Sequence, residues 1–273
     1  MQLEVINNAL TPKWSQVRAD AYQAWTDHCT EEYWEPNTEL AMQYRSGRLL
    51  TPPGANTKLA KGTTPIYGLT LAPAGLSGYQ VCPWRSPECE VACLGVTAGR
   101  SRFSNVQEAR IRKTRLLFED SYAFFRILFE ELSDAKEKHG RDFAFRSNVL
   151  SDIVWESVCP WMYYYSWLNY DYTKSFSRAV QSLGRKRGFI LDLTLSFSGH
   201  NWDECETYLR MGGKVAAVFN IPKDEPFPET WCGFPVVDGD RSDMRIYDLP
   251  GRVVGLRAKG KINRASAFVL SVT

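Results

Sequence analysis

Short apolar runs that each end in polar side chains are the feature that most constrains the fold of this chain. Several of these runs are apolar without alternation, as is typical of strands buried on both faces of a sheet. Helix-like segments separate many of them, and this order of strand, loop and helix predicts a parallel sheet with crossover connections. The eight predicted strands are Thr64–Ala72, Asp142–Arg146, Trp161–Tyr165, Phe189–Thr194, Lys214–Phe219, Phe234–Val237, Arg252–Leu256 and Ala267–Ser271.

The number and order of these strands predict an α/β fold, a (β/α) barrel that is closed or partly open. A doubly wound sheet is the alternative. Before the first strand, Val17, Ala21 and Ala24 share one face of a predicted helix. We therefore expect two units, a helical N-terminal extension over residues 1–55 and a barrel-like domain over residues 56–273.

A long helix is expected between the first two strands. Apolar residues recur there at spacings of three and four, with Ser104 as the predicted N-cap and Gly140 as the end. The pattern predicts a break near Asp120–Ser121. Shorter helices are predicted at Ile153–Val158, Lys174–Leu183 and Trp202–Met211, and irregular structure is predicted at residues 36–63.

Composition and charge narrow the class of protein. The net charge of +2 is almost balanced and demands no polyanionic partner. The chain has no run of eighteen apolar residues and no charged-then-apolar leader, so we expect a soluble protein without membrane contact. Its seven cysteines are odd in number and unevenly spaced, unlike a secreted disulfide framework. We therefore expect reduced thiols and a cytoplasmic location.

Three cysteines, Cys82, Cys89 and Cys93, fall within twelve positions and form the strongest candidate site. Pro83 and Pro87 predict a loop rather than a helix here. Thiolates are soft ligands that suit zinc or the iron of an iron–sulfur cluster. The spacing lacks the paired Cys-x2-Cys knuckles of a zinc finger, which favours a cluster over zinc or free thiols. Three thiolates leave either a fourth ligand from elsewhere or an open coordination position.

Polar side chains follow five of the predicted strands. In a (β/α) barrel these positions share the carboxyl edge of the sheet, where catalytic residues lie, so we expect a ligand site there. Ser, Asn and Asp are also the usual residues of helix caps and turns, so a structural role is the alternative. The expected substrate-binding residues are Arg146, Asn148, Ser151, Asp152, Asp171, Lys174, Thr194, Ser196, Asp238, Asp240 and Asp243.

Distinctive motifs run through most of the chain, among them NTKLAKG (56–62), GLTLAPA (68–74), RIRKT (110–114), RSNVLSDIVWE (146–156), NYDYTK (169–174), LTLSFS (193–198) and VVDGDRSDMRIYDLPGRVVGLRAKGK (236–261). Together with the cysteine loop they resemble the bacteriophage gene product 88 family over about residues 56–270. The resemblance implies a phage origin and leaves the chemistry open. The layout, with thiols after the first strand, also resembles radical-SAM barrels, although their usual spacing is Cys-x3-Cys-x2-Cys.

The first functional hypothesis is a phage-encoded iron–sulfur enzyme of the host cytoplasm. A [4Fe–4S] cluster on the three cysteines would keep one iron position open to S-adenosylmethionine or substrate. The substrate would be a nucleotide, a nucleic acid or another small polar molecule held at the carboxyl edge. A third and weaker hypothesis is a metal-dependent hydrolase that uses Asp238, Asp240 and Asp243.

The second hypothesis belongs to a different class of protein. The thiol loop would be a structural zinc clasp, and the protein would bind a nucleic acid or a host protein without catalysis. The contacts would come from basic residues, namely Arg100, Arg110, Arg112, Lys113, Arg115 and Arg185–Arg187.

Overall fold

The computed structural model describes residues 12–30, 34–43, 48–55, 62–164, 167–184, 188–260 and 262–271. The strands are β1 (Leu50–Thr51), β2 (Ile66–Leu69), β3 (Ala144–Arg146), β4 (Leu168–Thr173), β5 (Asp192–Ser196), β6 (Lys214–Phe219), β7 (Thr230–Trp231), β8 (Phe234–Asp238), β9 (Arg252–Arg257) and β10 (Val269–Leu270). The helices are α1 (Trp14–Thr30), α2 (Glu39–Met42), α3 (Pro87–Val91), α4 (Leu94–Thr97), α5 (Ser104–Glu119), α6 (Ser121–His139), α7 (Trp155–Val158), α8 (Phe176–Leu183) and α9 (Trp202–Arg210). Within these segments, each helix is too short or too polar to cross a membrane.

The strands form one ten-stranded sheet in the order β1-β2-β3-β4-β5-β6-β9-β8-β7, with β10 beside β6. The strands from β2 to β8 along this order run parallel, and β1 and β7 pair antiparallel at the two edges. The predicted α/β class and parallel sheet are confirmed. Among the described residues the two edges do not pair with each other, so the sheet is open and a closed barrel is not confirmed.

From β2 to β6 the spatial order follows the chain order, so each crossover steps in the same direction. Parallel crossovers are almost always right-handed, which puts their helices on one face, here called the outer face. The buried Ala179 of α8 and Cys205 of α9 do share a core with Leu195 and Val215 of β5 and β6. A doubly wound sheet would reverse its order and cover both faces with helices. This part of the sheet is therefore singly wound.

The connection from β8 to β9 lies on the opposite, inner face. Because β9 lies between β6 and β8, this step runs backwards along the sheet, and a right-handed crossover then uses the other face. Residues 239–251, which we call the inner crossover, form turns and no helix. Met244 and Ile246 from this segment pack against Ile66 and Tyr170. The chain itself therefore fills part of the inner face.

The N-terminal helix α1 packs on α6 and joins the main core. Its predicted face is confirmed, since Val17, Ala21 and Ala24 are buried. The ring of Trp25 lies 5.1 Å from that of Phe129 in an edge-to-face arrangement. The same core continues into β2, β3 and β5, so the helical extension and the sheet share their apolar interior.

The predicted break in the long helix is confirmed. Asp120 separates α5 from α6, and its side chain caps α6 by accepting a backbone hydrogen bond. Gly140, with φ 62°, ends α6 as expected. The predicted capping role of Ser104 is wrong, because Phe103 is the N-cap of α5 and supplies no capping side chain.

One predicted strand is wrong. Pro160 begins a short 3-10 helix in place of the strand predicted at Trp161–Tyr165. The strand lies further on, as β4, where Asn169 and Asp171 are buried on the face that packs toward the helices. Polar side chains on a buried face hide a strand from any prediction that looks for apolar runs.

The other predicted strands are confirmed, and the ends of most of them shift by a few residues. Phe189–Thr194, for example, becomes β5 at Asp192–Ser196. Neither β7 nor the strand and short helix between residues 36 and 63, β1 and α2, was predicted. Residues 56–61 of the NTKLAKG motif lie outside the described residues.

Replacing Gly213 with Ala should destabilise this fold. A Cβ there would lie 2.3–2.5 Å from the buried ring of Tyr208, whose hydroxyl donates to the carbonyl of Leu193. We expect the free energy of unfolding to fall by about 1–3 kcal/mol in urea titrations, as for other overpacked interiors. Gly184→Ala is the matched control, since nothing lies within 4 Å of a Cβ at that position. An equal loss in both variants would contradict the packing argument.

Candidate functional site at the carboxyl edge of the sheet

Residues 81–98, which we call the thiol segment, form two short helices. Pro87 begins α3, at a position where the missing N–H of proline is tolerated, and Ser86 caps the helix by accepting from the backbone of Cys89 (3.2 Å). Cys93 is the N-cap residue of α4. The prediction that the prolines exclude a helix is therefore wrong, because one of them starts a helix.

Loops after β2 and β3 hold the start of the thiol segment. The backbone N–H of Ala74 donates to Cys82 Sγ (3.4 Å), and Cys82 Sγ donates to the carbonyl of Leu150 (3.4 Å). The backbone N–H of Asp152 donates to the carbonyl of Val81 (2.8 Å). The first thiol is thus fixed by the carboxyl ends of two neighbouring strands.

Loops after β5 and β9 hold the rest of the thiol segment. Ser86 Oγ donates to the carbonyl of Ser198 (3.4 Å), and His200 Nε2 lies 3.2 Å from Glu88 Oε1. Gly260 approaches α4 so closely that a Cβ there would lie 3.1 Å from a hydroxyl of that helix. The predicted placement of the thiols at the carboxyl edge of the sheet is confirmed.

The contact from Ala74 comes with backbone strain. Its φ is 50°, in the left-handed region, which costs a non-glycine residue about 1–2 kcal/mol. This conformation belongs to the turn in which the Ala74 N–H donates to Cys82 Sγ. Strained residues tend to cluster at functional sites, where the surrounding structure maintains them.

The three thiols are free and partly buried. Burial raises the pKa of Cys82 to about 12, although the amide of Ala74 lowers it, and the charges of Cys93, Asp152 and Cys89 raise it further. Cys82 is therefore a neutral thiol at neutral pH. A metal that binds it has to displace the proton.

Cys93 has a similar balance, with two cations nearby. Burial raises its pKa, and a thiolate at Cys89 would raise it further. The backbone of Gly95 and the positive charges of Arg110 and Lys174 act in the opposite direction. Both cations favour the thiolate form, which is the form that binds a metal.

Among the described residues, no three His, Cys, Asp or Glu side chains are grouped to hold a single metal ion. A zinc site brings all of its donors to about 2.0–2.3 Å from one ion. The thiolates of an iron–sulfur cluster bind different irons, so its sulfur ligands lie further apart. The metal role of Cys82, Cys89 and Cys93 stays a prediction.

The four other cysteines lie in separate places. Cys159 and Cys205 are buried in the two different cores, as small apolar residues would be. Cys29 and Cys232 are exposed. Their scatter gives no sign of a fourth thiol ligand.

A buried hydrogen-bond network centred on Asn148 and Asp171 orders the loop after β3. The side-chain oxygen of Asn148 accepts from Ser151 Oγ (2.7 Å), the backbone of Ile153 (2.9 Å) and Trp155 Nε1 (3.1 Å). Its amide group donates to Asp171 Oδ2 (2.9 Å). Three predicted substrate-binding residues, Asn148, Ser151 and Asp171, therefore have structural partners that fix the loop behind the thiol segment.

A buried ion network joins the same loop to α8. Arg178 Nη1 lies 3.0 Å from Asp152 Oδ1, and its Nε and Nη2 donate to the carboxylate of Glu156 (2.9 and 2.8 Å). The other oxygen of Asp152 accepts from the backbone of Lys174 (2.8 Å). The sequence analysis missed Arg178, because nothing in its helix distinguishes a buried arginine from a solvated one.

Arg146 lies on the inner face, at the end of β3, in an ionic and aromatic cluster. Its Nη1 donates to Asp243 Oδ2 (2.8 Å), and the hydroxyl of Tyr170 donates to the same oxygen (2.7 Å). The guanidinium centre lies 4.6 Å from the ring centroid of Tyr172, and Nε lies 3.9 Å from Asp171 Oδ1. The structure thus brings together predicted residues from two strands and the inner crossover.

The three aspartates of the DGDRSD motif do not share one site. Arg257 Nη1 lies 3.2 Å from Asp238 Oδ2 and 3.5 Å from Asp240 Oδ2. Lys259 Nζ lies 2.6 Å from Asp240 Oδ1. Asp243 turns to the inner face instead. Basic side chains at and after the end of β9 therefore neutralise two of the carboxylates, which removes support for a divalent-cation site on this motif.

Lys174 and Ser196 lie at the carboxyl ends of β4 and β5, and Thr194 lies in the middle of β5. Lys174 Nζ lies 5.7 Å from the ring centroid of Phe268, and its charge lowers the pKa of Cys93. Thr194 is fully buried, and its hydroxyl has no hydrogen-bond partner among the described residues. Ser196 is half-buried. Lys174 and Ser196 are partly exposed, so a ligand can reach them, whereas Asn148 is buried.

Two of the predicted nucleic-acid contacts are used inside the protein. Arg110 and Lys113 donate to backbone carbonyls, and burial lowers the pKa of Lys113 to about 8. Arg115 pairs with a glutamate one turn later (2.7 Å). Of the other basic residues, Arg100 and Arg112 are exposed, and Arg185–Arg187 lie outside the described residues.

The structure has one groove beside the thiol segment and another at the opposite edge of the sheet. The first, of about 420 Å³, lies between α1 and the thiol segment and is lined by Trp14, Arg18 and Trp84, among others. The second, of about 490 Å³, lies at the amino ends of β5 and β6, where Lys214 pairs with Asp192 (2.6 Å). The polar carboxyl ends of these strands line neither groove.

Replacing Asn148 with Ala should destabilise the protein strongly. The change leaves the backbone of Ile153, Trp155 Nε1 and the carboxylate of Asp171 without this buried partner. We expect a loss of about 2–4 kcal/mol in the free energy of unfolding, measured by chemical denaturation. Asn263→Ala, at an exposed turn, is the control and should lose far less. Similar losses would show that the network does not organise the loop.

The pH dependence of stability should report on Asp171. Burial raises its pKa to about 6, although Arg178 and Arg146 lower it, whereas the unfolded value is about 3.9. Because the folded state binds this proton more tightly, the carboxyl group lowers stability as the pH rises from about 4 to about 6. The difference in unfolding free energy between wild type and Asp171→Asn should therefore fall over this interval, by on the order of 1–3 kcal/mol.

Urea titrations at several pH values test this dependence, with Asp203→Asn, an exposed carboxylate, as the control. A wild-type advantage over Asp171→Asn that grows with pH in this interval would contradict the sign of the pKa shift.

Comparison with known proteins places this arrangement in a family. A protein-family profile described as Gene product 88 matches residues 46–271. No curated protein and no solved structure matched the chain. The matched region contains the thiol segment and every strand of the sheet. Because the match spans well over half of the chain and agrees with the motifs, this chain belongs to the gene product 88 family.

Proposed function

We propose that this chain is a phage-encoded iron–sulfur enzyme that binds a [4Fe–4S] cluster through Cys82, Cys89 and Cys93. The main support is the position of the thiol segment, which loops from four strands hold across the carboxyl ends of a parallel sheet. The chain order of β2 to β6 along the sheet, with thiols after the first parallel strand, gives a layout similar to that of radical-SAM barrels. When bound, such a cluster supplies a redox centre with one iron position open to S-adenosylmethionine or substrate.

The residues present fit such a group. The three sulfurs are free and belong to one short segment. The N–H of Ala74 already donates to Cys82 Sγ, and hydrogen bonds to ligand sulfurs are one way in which proteins tune a cluster. The cations Arg110 and Lys174 favour the thiolate of Cys93. Burial opposes thiolate formation at Cys82, so the cluster would bind with release of a proton.

The substrate would lie at the same edge, against the polar side chains that the protein does not use for its own structure. Lys174 would bind an anionic group, and Ser196 would offer a hydroxyl. Arg146 and Thr194 would bound the site on the inner face. The substrate would be small and polar, for example a nucleotide. The free cysteines fit a cytoplasmic enzyme, because thiols stay reduced in a cytoplasm.

A second candidate is a zinc-stabilised protein that binds nucleic acid or a host protein without catalysis. Exposed groups directly after the thiol segment favour it, namely Arg100, Arg102 and the ring of Phe103, which is 60% exposed. Cations beside an aromatic ring are the groups that single-stranded nucleic acids bind. This candidate requires a closed zinc site with four ligands.

Metal analysis of protein purified without oxygen separates the two candidates. A [4Fe–4S] protein should be brown and contain about four iron and four sulfide per chain. We expect this result, together with visible absorption that is lost on exposure to air. Colourless protein with one zinc per chain would overturn the iron–sulfur proposal and favour the binding protein.

Single substitutions test the ligand assignment. Cys82→Ala, Cys89→Ala and Cys93→Ala should each lose the cluster, whereas Cys232→Ala, at an exposed turn, should keep it. Circular dichroism of each variant shows whether the fold persists. Full iron content in Cys82→Ala would show that the assignment is wrong.

A further inference from the structure

Two buried polar atoms on the inner face have no hydrogen-bond partner among the described residues. They are Arg146 Nε and Thr194 Oγ1. Thr194 is fully buried, and the side chain of Arg146 is 12% exposed. Buried donors without partners reduce stability, so proteins rarely keep them unless a water or a ligand completes them.

Both atoms belong to one surface. Thr194 on β5 pairs in register with Tyr172 on β4, and paired neighbours in a sheet point to the same face. The guanidinium of Arg146 lies over the ring of Tyr172, 4.6 Å from its centroid. Arg146, Tyr172 and Thr194 therefore form a continuous strip across three strands, from the end of β3 to the middle of β5.

The charge of this strip suits a ligand with a single negative charge. Arg146 is the only cation among the three residues, and burial raises the pKa of Tyr172, so its phenol stays neutral. Two neighbouring cations already have carboxylate partners. Lys214, in register with Thr194, pairs with Asp192 (2.6 Å), and Arg245, whose charge lowers the pKa of Tyr172, pairs with Asp248 (2.9 Å). Two carboxyl groups lie nearby, since Arg146 also contacts Asp243 (2.8 Å) and Asp171 (3.9 Å). These carboxylates would repel a doubly charged phosphate more strongly than a monoanion.

Two parts of the chain border the strip. The inner crossover packs on the inner face, where Met244 and Ile246 share a small core with Tyr170 and Tyr172. The loop that begins directly after Arg146 holds Cys82 through the carbonyl of Leu150. A ligand on the strip would therefore lie between the inner crossover and the thiol segment.

We propose that this strip binds a carboxylate, with Arg146 Nε and the Thr194 hydroxyl as donors to it. The carboxylate would be the anchoring group of the substrate, and in this respect the inference rests on the proposed function. It narrows the substrate from small and polar to a molecule that carries a monoanionic carboxylate. Guanidinium groups bind carboxylates with strong, directional hydrogen bonds, which suits an anchoring role.

Thr194→Val gives the sharpest test. A ligand-binding role and a structural role of the hydroxyl predict opposite changes in the melting temperature of the ligand-free protein. Valine fills a similar volume and has no hydroxyl that lacks a partner. If Thr194 serves a ligand, the ligand-free variant should melt at a higher temperature than wild type while its response to carboxylate is lost. A lower melting temperature in the absence of ligand would mean that the hydroxyl has a structural partner, and would overturn the proposal.

Acetate is the probe, added to the full-length, metal-free protein at up to roughly 100 mM, with chloride at equal ionic strength as the reference. We expect acetate to raise the melting temperature of wild type above the chloride value. Arg146→Met should abolish this difference, and Thr194→Ser should keep it. Arg252→Met is the matched control, because this arginine pairs in register with Lys214 on the same face, at the amino end of β9.

An acetate effect that is missing in wild type, or equal in Arg146→Met and Arg252→Met, would overturn the proposal. A larger effect of phosphate than of acetate would overturn the assignment to a monoanion. The measurement uses metal-free protein, so it does not depend on the cluster. A protein that binds no cluster could still bind acetate, and a protein that binds a cluster could fail to bind acetate. The iron–sulfur proposal and the carboxylate proposal therefore fail independently.

Discussion

The hydrogen bonds accepted by the buried carboxylate of Asp171 connect the sheet to the thiol segment. Ser147 Oγ donates to this group (2.7 Å), and Asn148 donates through both its backbone (3.1 Å) and its side chain (2.9 Å). Asn148 in turn orders the loop whose carbonyl at Leu150 accepts from Cys82. One carboxylate on β4 thus determines where the first thiol lies, although the two residues are far apart in the chain.

This connection has an energetic cost that the protein offsets locally. Removing Asp171 from water raises its pKa to about 6, so burial outweighs the two nearby arginines. Hydrogen bonds to a charged acceptor contribute about 1.5–3 kcal/mol each, which keeps the buried carboxylate in place. The balance is reversed for Arg178, where the carboxylates of Glu156 and Asp152 outweigh its burial and raise its pKa. Ion pairs at this edge of the sheet therefore hold the loop after β3 in place.

The sequence predicted the parts of the fold that depend on apolar periodicity. Lys214–Phe219 was predicted with its correct ends, because β6 is an apolar run buried on both faces. The strand β4 was missed because its buried polar residues are satisfied by partners distant in sequence. The path of the inner crossover could not be predicted either, since it follows from the position of β9 between β6 and β8.

The candidate site shows the same division between what sequence can and cannot reveal. The three cysteines and the polar strand ends were visible as residue types, and the parallel sheet does bring them to one edge. Their individual roles were not visible, because two contacts to Cys82 come from the backbones of Ala74 and Leu150. A motif such as RSNVLSDIVWE has the residues expected of a binding loop, yet most of its polar side chains bind residues elsewhere in the protein.

The inner crossover would limit the size of any molecule that the proposed site accepts. Because residues 239–251 pack on the inner face and Thr194 of the strip is fully buried, the proposed site would have room for a small group. It would not have room for a folded protein or a stacked duplex. A polymer would have to present a chain end or a single unit turned out of its stack, as in base flipping, whereas a free metabolite could enter whole.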